Sequence, residues 1–261
     1  MCSFLNQLNP SLKAITVVLL VCLLTFVFDP FTPLIYCMFT VMVTIICGKV
    51  AWKWYTLYFS VIFLLSFGML WTTIAFADQP TNPGVTMHIL FWDLPKEDVT
   101  VAAALTLRML AFASLSFMFI FTTNMVDFIL SVMQQFKLPP KLAYGVLAGY
   151  RFLPLIKEEL IQIRSAHRIR GIHRANGIKG SIQQYKRFAI PLLAGAIRKA
   201  ERTAIAMESK GFNGDRDRTF YRQFTLKWKD WGFLGMMLIV FIITVLFSMK
   251  LGYFSWYKGQ F

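Results

Sequence analysis

The sequence predicts an all-α membrane protein, with about five transmembrane helices and two or three amphipathic cytoplasmic helices. Of its 261 residues, 57% are hydrophobic and only 15% are charged, whereas a soluble domain carries roughly 25% charged residues. The apolar residues occur in long runs, and most charged residues occur in one segment between the fourth and fifth runs. Together these observations exclude a soluble globular domain.

Five apolar runs reach or approach the ~20 residues that an α-helix needs to cross the hydrocarbon core of a bilayer. They are Ser11–Phe28, Phe31–Gly48, Trp54–Ala77, Val99–Thr123 and Trp231–Met249. Two shorter apolar pieces, Leu142–Ile156 and Phe188–Ile197, are predicted to be re-entrant or interfacial. Asp29 and Pro30 follow the first run in place of a small-residue cleavage site, so this run is predicted to be a retained span.

The net positive charge is concentrated in the segment Lys137–Asp230, which holds 20 Lys and Arg against 7 Asp and Glu. This segment contributes +13 of the chain's net charge of +14, and the positive-inside rule places it in the cytoplasm. The acidic loop 78–98 favours the outer side, so an even alternation puts the amino terminus inside and the carboxyl terminus outside. Lys250 and Lys258 leave that last orientation open.

The predicted organisation therefore has three parts. Residues 1–123 form a transmembrane region of four spans, residues 124–230 form a cytoplasmic or interfacial coupling region, and residues 231–261 form the final span and a tail.

The charged segment is predicted to contain two amphipathic helices. In the first, His167 falls where an apolar residue would continue the stripe. In the second, the apolar stripe recurs at three-, four- and seven-residue spacings, and Arg198, Lys199, Glu201 and Arg202 are predicted to form the face exposed to water. This stripe consists of Ile190, Leu193, Ala194, Ile197, Ala204 and Ile205.

Each of these two helices is predicted to end at a basic residue followed by glycine. Gly171 and Gly211 stand where a residue in the left-handed conformation would end the helix. Arg170 and Lys210 then lie in the last turn, where a cation interacts favourably with the negative end of the helix macrodipole.

The sequence argues against an enzyme. It lacks the HExxH, GxSxG and phosphate-binding GxxxxGK[ST] motifs. His167 and His173 are six residues apart, or about 240° around a helix, so they cannot share a metal ion from one face. No catalytic residue, metal or cofactor is therefore expected.

Two other functions are less well supported by the sequence. Basic residues beside membrane spans more often follow topology or meet anionic lipid than bind nucleic acid, so no nucleic-acid partner is expected. A stand-alone secondary carrier or channel is the main alternative. It would require polar residues along several spans and an inverted repeat, but the first three spans carry hardly any charge.

Short motifs occur in a fixed order along nearly the whole chain. They are Leu5–Lys13, Thr122–Asp127, Leu138–Pro140, Tyr150–Leu155, Glu158–Glu159, Ala166–Gly171 and Ala206–Phe212. This series resembles the transmembrane T component of energy-coupling factor (ECF) transporters, the modular prokaryotic importers of vitamins and transition-metal ions. The resemblance rests on the order and spacing of the motifs.

The resemblance implies a non-catalytic scaffold in a prokaryotic cell membrane. In that family the T component joins a small substrate-binding membrane subunit, the S component, to two cytoplasmic ABC-type ATPases. Two coupling helices, each ending in a triplet similar to Ala-Arg-Gly, dock in grooves on the ATPases. By position, the two triplets correspond to Ile169, Arg170 and Gly171, and to Ser209, Lys210 and Gly211.

Both triplets depart from the family pattern. Ile169 and Ser209 replace alanine, and His167 stands where the family usually has glutamine. Lys210 replaces arginine, so it keeps a charge but loses the planar fork that binds a carboxylate through two hydrogen bonds. The second dock is therefore predicted to be less demanding in geometry, or to be matched to a diverged ATPase.

Four further charged residues are predicted to support the site. Arg108 lies in the middle of the fourth span, where it either pairs with a neighbouring helix or lies at the interface with the substrate-binding subunit. Asp127 and Arg151 lie near the cytoplasmic boundary and are predicted to be interfacial anchors or helix-end charges. Glu208 directly precedes the second triplet.

Overall fold

Helices make up most of the structure, because the long apolar runs contain few residues that would break a helix. The computed structural model describes residues 4–48, 50–75, 86–89, 92–171, 178–215 and 219–250. In chain order its elements are α1 (Phe4–Gln7), α2 (Pro10–Thr25), α3 (Phe31–Cys47), α4 (Trp52–Ala75), β1 (Thr86–Ile89), β2 (Trp92–Pro95), α5 (Lys96–Thr122), α6 (Met125–Gln135), α7 (Pro140–Ile169), α8 (Ile178–Ser209) and α9 (Trp228–Lys250). The two strands pair as a short antiparallel hairpin.

The five predicted spans correspond to α2, α3, α4, α5 and α9. Within the described residues, three segments are long and apolar enough to cross a membrane: Trp52–Thr73, Val99–Thr122 and Trp228–Lys250. The apolar helices α2 and α3 are shorter, with 16 and 17 residues. The structure thus confirms the prediction of an all-α membrane protein.

The contacts divide the chain into two units. The first contains residues 1–131 and 224–261, and the second contains residues 132–223. The sequence predicts boundaries after residue 123 and before residue 231, where the chain is expected to leave and re-enter the membrane. The two units are defined by packing instead, so the predicted boundaries stay a prediction.

The core of the first unit lies between α2, α3, α5 and α9. Its fully buried side chains include Leu20, Tyr36, Leu115, Met118 and Met237. The Tyr36 ring packs edge to face on Phe241 of α9, with ring centroids 5.9 Å apart. Apolar burial of this kind fixes the relative positions of these four helices.

The beginnings of α2 and α9 and the end of α5 meet at one face of the first unit. Asn9 caps α2, and its backbone N–H donates to Asp230 Oδ1 in the first turn of α9, at 2.8 Å. Lys13 in α2 donates to the carbonyl of Thr122, the last residue of α5, at 3.1 Å. The end of α5 and the beginnings of α2 and α9 therefore lie at the same face of the first unit.

The end of α3 and the beginning of α4 lie at this face too. A Cβ atom at Gly48, just after α3, would lie 3.1 Å from Thr122 Cγ2. Tyr55 in the first turn of α4 packs on Phe121, with ring centroids 5.7 Å apart. The five apolar helices consequently alternate in direction along the chain.

In the second unit, the two pieces predicted to be re-entrant or interfacial belong to longer helices. Leu142–Ile156 lies within α7, which has 30 residues, and Phe188–Ile197 lies within α8, which has 32. Each helix contains an internal proline, Pro154 in α7 and Pro191 in α8. Charged residues on either side of each apolar piece hide this continuity from a reading of hydropathy alone.

Candidate functional site

The first predicted triplet forms the end of α7. This helix ends at Ile169, and Gly171 adopts the left-handed conformation, with φ of 73°. The N–H of Gly171 donates to the carbonyl of Arg168, at 3.1 Å. This bond satisfies one of the carbonyl groups that a helix end leaves unpaired, so the prediction that glycine ends α7 is confirmed.

The second predicted triplet ends α8 in the same way, with a more complete cap. Gly211 has a φ of 83°, and its N–H donates to the carbonyl of Glu208, at 2.9 Å. The N–H of Phe212 donates to the carbonyl of Met207, at 3.0 Å. These two bonds form a Schellman motif. Lys210 is therefore held at a well-defined helix end.

α7 and α8 run antiparallel and contact each other at three levels. The contacts join Tyr144 with Phe212 (ring centroids 5.4 Å apart), Glu159 with Lys199 (Oε2 to Nζ, 2.6 Å) and His167 with Phe188 (ring centroids 5.4 Å apart). The C-terminal ends of the two helices therefore lie at opposite ends of the pair. Arg170 follows Tyr144 by 26 residues, or ~39 Å at a rise of about 1.5 Å per residue.

Both triplets are exposed. Ile169 is 88% exposed, and Arg170 and Lys210 are exposed as well. Within the described part of the chain neither cation forms an ion pair. The helix pair therefore carries two exposed cations, one at each end.

The two ends differ in their electrostatic surroundings. Residues 160–200 contain nine Lys and Arg and no Asp or Glu, and the first triplet lies within this basic stretch. In contrast, Lys210 follows Glu208 by two residues. A carboxylate on a partner is consequently attracted more strongly to the Arg170 end.

The supporting residues His167, Glu208 and Arg151 all lie in the second unit. The half-buried His167 packs its ring on Phe188, and its Nδ1 has no hydrogen-bond partner among the described residues. The ring thus takes the place of the next apolar residue in the stripe of α7, as predicted. Glu208 and Arg151 are exposed.

The supporting residues Arg108 and Asp127 lie in the first unit. Arg108 is buried, its guanidinium lies 4.4 Å from the ring centroid of Phe28, and Nη2 donates to the carbonyl of Val27. This geometry favours the structural pairing over an interface with another subunit. Asp127 lies in the first turn of α6, where a carboxylate suits the positive end of the helix macrodipole.

α8 contacts α7 through the side opposite most of the predicted apolar stripe. Four residues of the predicted apolar stripe, Ile190, Leu193, Ile197 and Ile205, are 59–69% exposed. Lys199, predicted to lie on the face exposed to water, instead contacts Glu159, so that prediction is wrong. Gly195 explains the difference, because a Cβ atom there would overlap Glu159 Oε1. The missing side chain lets the carboxylate lie against α8 and reach Lys199.

A cleft of about 750 Å³ lies between the beginning of α7 and the end of α8. Small residues line much of it, namely Gly145, Ala148, Gly149, Ala200 and Ala204. Met207 and Phe212 close it beside the second triplet. Side chains of a partner that contacts Lys210 therefore have an apolar cleft next to them. No group of three or more metal-ligating side chains occurs within the described residues.

Comparison with known proteins gives a consistent set of relatives. The family model described as CbiQ, cobalt transport protein, matches residues 1–221. Similar proteins are named energy-coupling factor transporter transmembrane protein EcfT. The one from Staphylococcus aureus is 26% identical over 262 residues, 95% of this chain and 93% of its own length. The one from Streptococcus thermophilus is 23% identical over 264 residues, 95% of each chain. The one from Brevibacillus brevis is 34% identical over 99 residues, 36% of each chain.

Proposed function

The chain belongs to the CbiQ family of cobalt transport proteins, and from this premise we propose that it is the non-catalytic scaffold of an importer, coupling ATP hydrolysis by two partner ATPases to a substrate-binding membrane subunit. It is the transmembrane T component of an ECF transporter, a multi-pass membrane protein. The transported substrate is a vitamin or a transition-metal ion, and the S component holds it.

The observation that carries this proposal is the pair of exposed cations at opposite ends of α7 and α8. A scaffold that engages two ATPases needs two docks, and one helix pair supplies both, ~39 Å apart. At each dock a helix end lies in a groove of the ATPase, and the terminal cation fixes its register against a carboxylate. The left-handed glycine after each cation ends the helix there and leaves the cation accessible.

The exposed stripe of α8 supplies the surface for the second kind of partner. Ile190, Leu193 and Ile197 form an exposed apolar strip, and Glu201 separates it from Ile205 on the same face. A membrane subunit is largely apolar, so it is a better match for this strip than a soluble ATPase is. The helix pair thus offers cationic ends to the ATPases and an apolar side to the S component.

The test is the capture of ATPases by the chain in mild detergent. Truncating one member of a desolvated charge pair costs roughly 2–5 kcal/mol, so we expect Arg170→Ala to lose the ATPases while the chain stays in the membrane. Arg168→Ala is the matched control, because Arg168 is also exposed in the last turn of α7. A wild-type chain that captures no ATPase, or an Arg170→Ala chain that captures as much as wild type, would contradict the proposal.

Lys210→Arg tests whether the docks differ in stringency. The guanidinium restores the fork that binds a carboxylate through two hydrogen bonds, so we expect more ATPase to remain bound after a salt wash. Equal retention by wild type and Lys210→Arg would show that the partner carboxylate does not use the fork.

A further inference from the structure

Two sequence motifs that the docks do not use, Leu5–Lys13 and Thr122–Asp127, come together in the first unit. A cleft of about 250 Å³ lies between them, with residues of both motifs in its wall. The motifs are more than a hundred residues apart in the chain. Their meeting point is the junction where α5 ends and α6 begins, and α6 continues by chain connection into the second unit.

Lys13 makes the contact between the two motifs. Its side chain is fully buried, at 1% exposure, and the three N–H groups of its ammonium are shared among four oxygen atoms within hydrogen-bond distance. These are the Leu5 carbonyl (2.6 Å), the Thr122 carbonyl (3.1 Å), Thr122 Oγ1 (3.2 Å) and Thr123 Oγ1 (3.2 Å). One side chain therefore joins α1, α2 and the end of α5.

These oxygen atoms are suited to hold a cation. The Thr122 carbonyl belongs to the last turn of α5, where carbonyl groups lack helical partners and the macrodipole is negative. The Thr122 hydroxyl donates its proton to the carbonyl of Met118, at 2.6 Å, so its lone pairs face Lys13. The Asp230 carboxylate attracts the ammonium group from α9. The buried charge is thus both hydrogen-bonded and balanced.

The position of Lys13 in α2 indicates which helix end its charge stabilises. It lies in the first turn of α2, where the positive end of the macrodipole disfavours a cation. A cation buried there is disfavoured by the macrodipole of its own helix. It lies instead where the negative end of α5 stabilises it. The contact therefore holds the end of α5 against α1 and α2.

We propose that Lys13 is the positioning residue of a joint at which α5 passes into α6, fixing Thr122 and Thr123 against α1 and α2 so that a displacement of α6 reaches α2 and α5 together. This inference rests on the proposed function, because only a scaffold that passes movement from its docks into the membrane needs such a joint. Without Lys13, α6 moves relative to α2.

The experiment measures the distance between α2 and α6 in the full chain with spin labels at Val18→Cys and Met125→Cys, after the native cysteines are replaced. Both positions are exposed. Wild type is expected to give one narrow distance. Losing hydrogen bonds to a charged group shifts an equilibrium by roughly tenfold or more, so Lys13→Met is expected to raise the population of a second distance by that factor.

Lys53→Met is the matched control, because Lys53 is exposed in the first turn of α4 at the same face. Lys53→Met should leave a single narrow distance. Lys13→Arg should also give mainly the wild-type distance, because the guanidinium keeps the charge and the hydrogen-bond donors. A single narrow distance in Lys13→Met would overturn the inference. If Lys13→Met does not reach the membrane, Thr122→Val with Thr123→Val decides by the same criterion.

The amount of ATPase captured by each variant separates the two proposals. Lys13→Met is expected to capture as much as wild type, because the docks lie in the second unit. A wild-type chain without ATPases would overturn the proposed function, whereas the distance measured on the chain alone still decides whether the joint holds. Loss of ATPases from Lys13→Met with an unchanged distance would overturn the joint alone.

Discussion

Gly195 decides how closely the residues of α7 and α8 approach each other. Its missing side chain makes room for the Glu159 carboxylate, which then accepts a hydrogen bond from Lys199 at 2.6 Å. The pair is only partly exposed, so solvent screens it less than a surface ion pair. One glycine therefore sets the contact at the middle of the helix pair.

Gly195→Ala is expected to give a lower Tm than the same change at an open helix position. There the change stabilises by up to ~1 kcal/mol, whereas at position 195 the new methyl group displaces the end of the flexible Glu159 side chain and breaks its ion pair with Lys199. The measurement is the apparent Tm in one detergent. Gly149→Ala in α7 is the control, since its Cβ would meet no atom within 4 Å, and its Tm should stay level or rise. Equal rises in both variants would contradict the role given to Gly195.

At the residue scale, features that depend on neighbouring residues could be predicted from the sequence. Contacts between residues distant in the sequence could not. Gly171 and Gly211 were identifiable because a helix cap depends on a few adjacent residues. Lys199 was assigned to the wrong face because its partner lies 40 residues away. The role of Lys13 was hidden for the same reason, since its acceptors on Thr122 and Thr123 lie more than a hundred residues away. Charge alone does not show which lysine is buried.

At the scale of elements, α8 has two different faces. One face carries the residues that contact α7, and the other carries the exposed stripe of Ile190, Leu193, Ile197 and Ile205. The spacing in the sequence predicted an apolar stripe, but not that α7 would leave it uncovered. Hydrophobic periodicity shows that a face is apolar and does not show what packs on it.

Ile197→Gln is expected to weaken binding of the S component and to leave ATPase capture unchanged. The substitution places an amide in an apolar contact, where an unpaired polar group costs roughly 1–3 kcal/mol. Co-purification of the membrane subunit measures the effect. Ala206→Gln is the control, because Ala206 is exposed and nine residues from Ile197, about half a turn away around the helix. Equal loss in both variants would mean that the stripe has no special role.

At the scale of the whole molecule, the first unit has a defined direction in the membrane. The beginnings of α2, α4 and α9 and the ends of α3 and α5 meet at one face, where Lys227 and Lys229 also lie beside the start of α9. Positive charge marks the cytoplasmic side. On this basis we predict that the end of α9 lies outside, the orientation that Lys250 in its last turn left open.

Cysteine labelling in intact cells measures this orientation. In a cysteine-free background, Met249→Cys is expected to react with a membrane-impermeant maleimide from outside. Trp228→Cys, which is 92% exposed at the other end of α9, should react only after the cells are opened. The reverse pattern would place α9 the other way up and overturn the alternation.

The contact between Glu159 and Lys199 has a mechanical consequence. It lies 11 residues before Arg170 on α7 and 11 residues before Lys210 on α8, so each arm is ~17 Å long. Because the helices are antiparallel, the arms point in opposite directions from this contact. A change of packing at this contact therefore lies at the same distance along the helices from both exposed cations.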